Sequence, residues 1–341
     1  MHMDIFDDDA FSLVSMTEAV EKLPYVPGFL GSLGIFGAGQ GVMTDTVSIE
    51  ERARVLSPIP TSMRGTEPPM GATEKAKLRS FHIPRVAKAD QVFAREIANL
   101  RAFGSQSDLV TAAQLIAQKQ QELLIEYELT MELHRLGAAQ GILLDTDGTT
   151  LYNFFTEFGI SQPTEIDFDL DNASPVSGAL RSLISNSVVR PIVRALGGAW
   201  NPGIRIIGLC GDTFYDQFVN HNDVVKTYVN WQASEGLRTG TAFKNFTFAD
   251  VEWVNYRGTD DNTTVAIGTG KVKFIIVGVP GLFRRINGCG EDLDTVNTIG
   301  RPIYSNLVRD LKRNQWVQPE IYSYPLHLCT RPEVLLRGKN T

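Results

Sequence analysis

The residues best suited to nucleophilic chemistry are a cysteine and the histidines. Cys210 lies in the segment Gly-Leu-Cys-Gly-Asp at 208–212, at a predicted strand-to-helix junction, which is where many hydrolases place their nucleophile. The five histidines are scattered, and no neighbouring residue marks any of them as the matching base: His2, His82, His134, His221 and His327. We therefore interpret Cys210 as a buried structural cysteine.

Metal sites are also not indicated. Cys210, Cys289 and Cys329 are too few and too far apart for a zinc site or a disulfide framework, so reduced thiols are expected. The alternating aspartates of residues 167–171 have the spacing that begins a calcium loop, but the glycine and the glutamate needed further on are absent. Their alternation with apolar residues favours a half-buried strand.

Two glycine-rich segments resemble phosphate-binding loops but are incomplete. Residues 37–41 (Gly-Ala-Gly-Gln-Gly) have no predicted strand before them and no helix after them, which favours a flexible arm over a dinucleotide site. Residues 268–271 (Gly-Thr-Gly-Lys) lack the first glycine and the final hydroxyl, which Val265 and Val272 replace, and indicate a turn. The sequence therefore predicts no catalytic residue, no cofactor and no metal.

Composition and charge narrow the classes of protein to which the chain could belong. Hydrophobic residues make up 43% and charged residues 21% of the 341 residues, which is typical of a folded protein. A net charge of -7 and a pI near 5.4 argue against a sequence-reading nucleic-acid binder, which needs a basic face. The first ten residues are acidic, unlike a signal peptide, and the longest apolar stretch, 274–283, is far short of a membrane helix. We expect a protein that folds in a reducing cytoplasm without membrane contact.

The first third of the chain predicts an arm and a ribbon. Residues 1–40 are glycine-rich and contain one short predicted helix at 17–23. Strands are predicted at 46–56 and 75–86, joined by a proline- and glycine-rich turn region, and each would reach roughly 35 Å at ~3.3 Å per residue. A lone two-stranded ribbon is marginal in water, and this one carries charge on both faces. We expect another copy of the chain to supply the surface on which it lies, with these intersubunit contacts: Arg79, Arg85, Glu50 and Arg52.

The remainder alternates long helices with short strands. Helices are predicted at 90–103, at 105–134 (roughly 40 Å at 1.5 Å per residue) and at 174–196, the last kinked by Pro191. A hairpin at 141–155 turns at an Asp-Gly pair. The predicted strands that follow are 204–209, 251–256, 272–277 and 321–328, with a helix capped by Asp212 after the first.

Several short stretches together resemble one protein family over nearly the whole chain. In order, they are 3–6 (MDIF), 9–12 (DAFS), 79–84 (RSFHIP), 101–105 (RAFGS), 141–159 with its LDxDG turn and NFF signature, 209–212 (LCGD), 256–258 (YRG), 277–283 (VGVPGLF), 296–300 (VNTIG) and 329–332 (CTRP). Each is weak by itself, and their common order makes them specific. They are similar to the tailed-phage capsid family typified by the lambda head protein, often called capsid family E.

The resemblance implies an α+β, HK97-like capsid fold, onto which the predicted segments fall. They are an N-terminal arm (1–40), an extended loop (41–88), a peripheral domain (89–200 and 320–341) with a spine helix at about 105–136, and an axial α/β domain (201–319). The implied function is a major capsid protein that forms hexamers and pentamers in an icosahedral virion shell around double-stranded DNA, without sequence-specific binding. The implied site of assembly is the cytoplasm of the host bacterium.

The resemblance also implies a scaffolding protein, a portal and a decoration protein as partners. A scaffold fused to this chain is not expected, because the roughly 100 residues before the spine helix are rich in glycine, proline and strand rather than helix. Two alternatives stay open: an encapsulin-like cellular compartment of the same fold, distinguished by enzyme cargo, and a small-molecule enzyme built on the α/β insert.

Overall fold

The computed structural model describes residues 26–51, 63, 77–97, 112–172, 174–229, 245–259, 263–313 and 315–341. Within these residues the α-helices are α1 (Phe29–Ser32), α2 (Ala94–Ile97), α3 (Ala112–Gln140), α4 (Phe154–Phe158), α5 (Ala179–Leu183), α6 (Arg190–Leu196), α7 (Asp212–Asn220) and α8 (Asn222–Val229). A π-helical stretch (Ile184–Val189) joins α5 to α6, and 3-10 turns occupy Gly197–Ala199 and Pro332–Val334.

Short strands connect and flank these helices. In chain order they are β1 (Gln40–Gly41), β2 (Thr46–Glu51), β3 (Lys77–His82), β4 (Val86–Ala89), β5 (Val92–Phe93), β6 (Ile142–Leu144), β7 (Thr150–Asn153), β8 (Ile166–Asp167), β9 (Arg205–Cys210), β10 (Phe246–Phe248), β11 (Val251–Asn255), β12 (Lys271–Val277), β13 (Phe283–Asn287), β14 (Tyr304–Arg309), β15 (Trp316–Ser323), β16 (Pro325–Cys329) and β17 (Arg337–Lys339).

The largest sheet of the described residues has the order β10-β11-β9-β12-β17-β8. Its central strands β9 and β12 contain apolar runs, Ile206–Cys210 and Phe274–Ile276, that are buried on both faces, as expected where helices and loops cover a sheet. Aromatic side chains fill the space beside them, with the rings of Phe218 and Trp253 4.0 Å apart. The chain end returns to this sheet through β17, between β12 and β8.

Two smaller sheets lie against the long helix. One has the order β1-β13-β16 and the other β14-β15-β4, with β5 also paired to β15. Residue 320 is the predicted boundary between the axial segment (201–319) and the second peripheral segment (320–341). Strands on the two sides of this boundary pair with each other: β14 pairs with β15, and β12 pairs with β17. The predicted boundary between a peripheral and an axial domain therefore does not coincide with a break in strand pairing.

Helix α3 corresponds to the predicted long helix, of which residues 105–111 lie outside the described part. It ends at Gln140, four residues beyond the predicted spine end at 136, because Gly141 has a φ of +83°. A Cβ at Gly141 would lie 2.5 Å from the ring of Phe155, so only glycine allows this close turn. The hairpin of β6 and β7 follows, and its prediction is confirmed.

Two predicted single strands are each split between sheets. The strand predicted at 75–86 becomes β3 and β4, separated at Pro84, whose missing N–H ends the ladder. The strand predicted at 321–328 becomes the end of β15 and β16, with a break at Tyr324. Where a helix is predicted at 90–103, Val92 and Phe93 form strand β5, which pairs with β15, and α2 begins at Ala94. Residues 98–103 of this prediction lie outside the described part. Periodicity in the sequence does not carry the information on where a strand changes partners.

Local helix predictions need two further corrections. The helix predicted at 174–196 begins at Ala179, and its kink takes the form of a π-helical stretch that ends two residues before Pro191, which has no N–H to donate. Asp212 does not cap α7: Gly211 is the cap residue, and Asp212 accepts a hydrogen bond from Asn255 Nδ2 at 3.0 Å.

Residues 26–41, which we call the strap, pack on the subunit and do not form the free end of the predicted arm. Leu30 and Phe36 are buried, and β1 pairs with β13 in parallel. The predicted flexible arm at 37–41 is therefore wrong for this stretch, because its apolar neighbours find partners that are distant in sequence. Residues 1–25, with the predicted helix at 17–23, lie outside the described residues.

Candidate functional site: the base of the ribbon

The ribbon formed by β2 and β3 is the part of the chain predicted to contact other subunits. The two strands pair antiparallel, from Thr46 opposite His82 to Glu51 opposite Lys77. At its base, Phe81 is fully buried with its ring 5.5 Å from that of Tyr152 and 6.2 Å from that of Phe158. The subunit's own core therefore holds the base of the ribbon, whereas the charged sequence of the ribbon predicts only a surface on another copy.

Tyr152 adds a polar clamp to this anchor. Its hydroxyl accepts a hydrogen bond from His82 N and donates one to His82 O, each at 2.8 Å. Partial burial raises the pKa of Tyr152, so the phenol stays protonated at neutral pH and both bonds persist. The clamp satisfies both main-chain groups of the last residue of β3, where the ladder ends.

Arg79 binds within its own chain. Its guanidinium donates to Glu157 O and, at 3.0 Å, to Phe158 O, which are carbonyls at the C-terminal end of α4. It also lies 5.1 Å from the ring centroid of Phe158. Cations are favoured at helix C-terminal ends, where the last carbonyls lack partners. Arg79 thus fastens the ribbon to α4, and any contact it makes between subunits remains a prediction.

Arg85 forms a two-pronged ion pair with Glu291. Arg85 Nη2 lies 2.6 Å from Glu291 Oε1, and Arg85 Nε lies 2.9 Å from Glu291 Oε2. The hydrogen bonds of this pair raise the pKa of Arg85 and lower the pKa of Glu291. The side chains stay 51% and 45% exposed, so the pair is open to water and to a neighbouring molecule.

Tyrosines from β15 and its end surround this pair. The Arg85 guanidinium lies 5.1 Å from the ring centroid of Tyr322, whose hydroxyl donates to Glu320. That hydrogen bond raises the pKa of Tyr322 to about 12, and burial raises the pKa of Tyr324 to about 12. Both phenols therefore act as neutral donors, and the surface carries only the charges of its carboxylates and its arginine.

The remaining predicted contact residues are Glu50 and Arg52. Glu50 is exposed on β2, opposite Leu78 of β3. Arg52 lies outside the described residues. The structure does not bring Arg79 and Arg85 to a common partner, because one binds α4 and the other binds the segment after β13. Nothing in the sequence marked Glu291 as a partner, since 206 residues separate it from Arg85.

A second structural centre, also missed from the sequence, holds the strap. Glu132 on α3 is 0% exposed, and its carboxylate accepts hydrogen bonds from Leu30 N at 2.7 Å and Gly31 N at 3.1 Å. Tyr256 Oη and Arg135 Nη1 complete the site at 3.3 and 3.2 Å. Burial raises the pKa of Glu132 against these favourable contacts. A glutamate between Met131 and Leu133 was the available signal for a buried carboxylate.

Two buried histidines lie beside the strap. The ring of His327 is 5.1 Å from that of Phe36 and 6.2 Å from that of His134. Burial lowers the pKa of His134 to about 4, and the nearby Asp145 opposes this shift. Burial also lowers the pKa of His327 well below its usual value, and repulsion from the positive forms of His134, Arg285 and Arg135 acts in the same direction. Both imidazoles are therefore neutral at pH 7.

Cys210, the aspartates of residues 167–171 and the segment 268–271, which were considered above for chemistry, lie in the core or in turns. Cys210 is fully buried, and burial raises the pKa of its thiol well above the usual value, so the thiolate does not form at neutral pH. Asp167 accepts from Asp169 N at 3.0 Å within a turn. Residues 268–271 form a turn closed by Lys271 N to Gly268 O at 2.8 Å, and Lys271 pairs with Glu165 at 2.8 Å.

Neither a metal-binding cluster nor a membrane span occurs in the part of the chain that the structure describes. No group of three or more His, Cys, Asp or Glu side chains in that part could hold a metal ion. Within the same residues, every helix is too short or too polar to cross a bilayer.

Comparisons with known proteins point to one family. A family model described as phage major capsid protein E matches residues 12–340. Major capsid proteins of Pseudomonas phage KPP10 and Salmonella phage Felix O1 are each 24% identical to the chain, covering 96% of it and 97% and 95% of their own lengths. The capsid of Myoviridae phage XM1 has a similar fold, with a TM-score of 0.54 at 12% identity over 94% of both chains. The capsid of cyanophage P-SCSP1u has a TM-score of 0.51 at 10% identity, covering 89% of this chain and 85% of its own.

Proposed function

Since this chain belongs to the family of phage major capsid protein E, we propose that many copies of it assemble into the icosahedral shell of a phage head. The observation that carries the proposal is the extent of the match, which spans residues 12–340 and nearly the full lengths of two major capsid proteins. The protein accordingly resides in the virion. Both family and relatives are phage proteins, which favours this function over an encapsulin-like compartment.

In this proposal the chain forms hexamers and pentamers around double-stranded DNA. Its net charge of -7 agrees with a shell protein that does not adhere strongly to the packaged genome. A scaffolding protein, a portal and a decoration protein, encoded separately, would guide closure and completion of the shell. The proposed units are the arm (1–40), the extended loop (41–88), the peripheral domain (89–200 and 320–341) and the axial domain (201–319).

The ribbon is proposed as a contact between neighbouring subunits. Support comes from its exposed features: Leu78 is 70% exposed on β3, Glu50 is exposed on β2, and Arg85 is half exposed beyond the ribbon base. Exposed apolar side chains beside charges are the usual composition of a surface that becomes buried on assembly. Arg52 is proposed as part of the same contact from the sequence alone.

The role is structural rather than catalytic in this proposal. A capsid family name supports that view, and the protonated, buried thiol of Cys210 agrees with it. Alanine at Cys210 or His221 should change the yield of folded protein at most. Intact particles that lost a measurable reaction after either change would contradict a purely structural role.

The decisive experiment is electron microscopy of the full chain, expressed alone and together with its scaffolding protein. We expect few uniform shells from the chain alone, and closed icosahedral particles in the presence of scaffold. Particles from infected cells should contain DNA, whereas enzyme cargo would support the compartment alternative. A chain that stays monomeric in every condition and turns over a substrate would contradict the proposal.

A further inference from the structure

One exposed apolar surface lies in the segment between β13 and β14. Leu293 is 96% exposed, and Val296 and Ile299 are 43% and 61% exposed. Asp292 O accepts from Thr295 N and Val296 N at 2.9 and 2.8 Å, which forms a single helical turn and puts Leu293 and Val296 on one side of it. Such side chains are unfavourable in water and mark a surface that another molecule covers.

A fourth side chain extends this surface. Gly300 N donates to Val42 O at 3.0 Å, which brings the backbone of Met43, a residue that is 53% exposed, close to residues 299–300. We call these four side chains the apolar patch: Met43, Leu293, Val296 and Ile299. Asp292 and Asp294 are exposed beside Leu293, so the rim at this side of the patch is acidic.

The turn between β14 and β15 carries an exposed apolar side chain and positive charges, which complement the apolar patch and its acidic rim. Leu311 is 96% exposed, and the next two residues, Lys312 and Arg313, are exposed cations. Asp310 holds the turn in shape, because its Oδ1 accepts from Lys312 N at 3.0 Å and from Arg313 N at 3.1 Å. We call residues 310–313 the tip. It is an ordered knob with an apolar end and a basic side.

The tip and the apolar patch lie at opposite ends of one strand. Tyr304 at the start of β14 pairs with Tyr322, which lies under Arg85 and thus near Glu291, while Arg309 at its end pairs with Val317 beside the tip. Five steps of ~3.3 Å separate these ends by roughly 17 Å. A tip that reaches an apolar patch therefore belongs to another copy of the chain.

We propose that the tip of one copy docks on the apolar patch of a neighbouring copy, with Leu311 in the patch and the two cations opposite Asp292 and Asp294. The inference rests on the proposed shell function and names one contact within it. Because donor and acceptor surfaces differ, the contact is head-to-tail, and a head-to-tail contact closes into rings when its rotation allows. Opposite charges fix the orientation in which the apolar surfaces meet.

A cysteine pair tests the contact in assembled particles. The full chain carrying Leu293→Cys and Leu311→Cys should give, on mild oxidation of shells, a ladder of crosslinked subunits, since each copy offers one donor and one acceptor. A disulfide needs Cα atoms about 4.4–6.8 Å apart, which excludes a bond between the two ends of one subunit. The matched control pairs Leu311→Cys with Val176→Cys, at a residue that is 76% exposed elsewhere. Crosslinking no stronger than in this control would overturn the inference.

Charge exchange tests the orientation. Lys312→Glu with Arg313→Glu, and Asp292→Lys with Asp294→Lys, should each weaken self-association of the full chain by about tenfold or more, as measured by analytical ultracentrifugation. All four changes together should restore association to within about threefold of the original chain. Circular dichroism should show every variant folded, because the altered side chains are exposed. A fourfold variant that associates no better than the twofold variants would overturn the inference.

The outcomes also separate this inference from the proposed function. Shells that form and package DNA, yet show neither the crosslink nor the charge rescue, would overturn the contact and leave the function standing. A chain that forms no shell in any condition contradicts the function, while the charge exchange still decides the contact in solution. A chain that neither associates nor crosslinks at any concentration counts against the contact itself.

Discussion

Glu132 and Glu291 both tie together segments that are far apart in the sequence, and they do so in opposite environments. Glu132 is 0% exposed and binds two backbone N–H groups of the strap, a phenol and an arginine. The Glu291 side chain is 45% exposed and forms its ion pair with Arg85 at the surface. Buried polar groups lose water as an alternative partner, whereas exposed ones keep it. The strap centre therefore stabilises the subunit, whereas a role of the exposed Arg85 pair in assembly stays a prediction.

The largest effect is expected from Glu132→Ala. The change removes the acceptor of the buried Leu30 N–H and of the Gly31 N–H, together with the buried one of the two carboxylates that Arg135 contacts. The expected cost is about 3–5 kcal/mol in the free energy of unfolding. Urea unfolding followed by circular dichroism measures it. The matched control is Glu128→Ala on the same helix, where a 54% exposed carboxylate lies 3.5 Å from Arg135 and should change stability by less than ~0.5 kcal/mol. Equal losses of stability from Glu132→Ala and Glu128→Ala would contradict the contrast drawn between buried and exposed carboxylates.

Acid should next destabilise the subunit through the two buried histidines beside the strap. The pKa of His134 falls from 6.5 to about 4 on folding, so its contribution is complete above pH 6.5 and is lost as the pH falls towards 4. The loss amounts to about 3 kcal/mol at ~1.4 kcal/mol per pKa unit, with a further loss in the same direction from His327. In His134→Gln, the free energy of unfolding measured between pH 7 and pH 4 should fall less steeply with decreasing pH than in the original chain. The comparison variant is His82→Gln, at a histidine that is exposed rather than buried.

An intermediate effect is expected at the ribbon base. Arg79→Lys removes the fork that binds two carbonyls of α4 and weakens the contact with Phe158, which should lower the free energy of unfolding by about 1–2 kcal/mol. Lys77→Ala, at an exposed position of the same strand, is the comparison for thermal unfolding. If Arg79→Lys leaves stability unchanged but blocks shell formation, Arg79 acts between subunits after all.

The smallest effect on the subunit is expected at Arg85. Arg85→Glu should cost less than about 1 kcal/mol of folding stability, because the pair is half exposed. The exchange of both residues, Arg85→Glu with Glu291→Arg, rebuilds the ion pair in reverse. Shell yield by electron microscopy then locates the role of Arg85. Recovery of yield in the exchange variant indicates a role within the subunit, whereas failure to assemble with normal folding indicates a contact to a neighbour.

Much of the fold was predictable because local patterns carry it. The α+β class and the HK97-like capsid fold are confirmed by the fold matches, and α3, the Asp-Gly hairpin and strands β9, β11 and β12 lie where periodicity placed them. The errors fall where local signals are weakest. Pro84 and Tyr324 interrupt segments that the sequence pattern predicts as continuous strands. The glycines of the strap predict free chain, yet Leu30 and Phe36 are buried.

The sequence by itself determined the long helix α3, the Asp-Gly hairpin, the central strands of the largest sheet and the family. That the ribbon lies on another subunit stays a prediction. Helical and strand periods, turn residues and ordered family motifs are all short-range properties of the chain. Only the tertiary structure decided that Arg85 meets Glu291, that Glu132 receives the strap, and that Phe81 anchors the ribbon within its own subunit. Those pairings join residues separated by up to 206 positions, and no periodic pattern encodes which distant side chains folding brings within hydrogen-bonding distance.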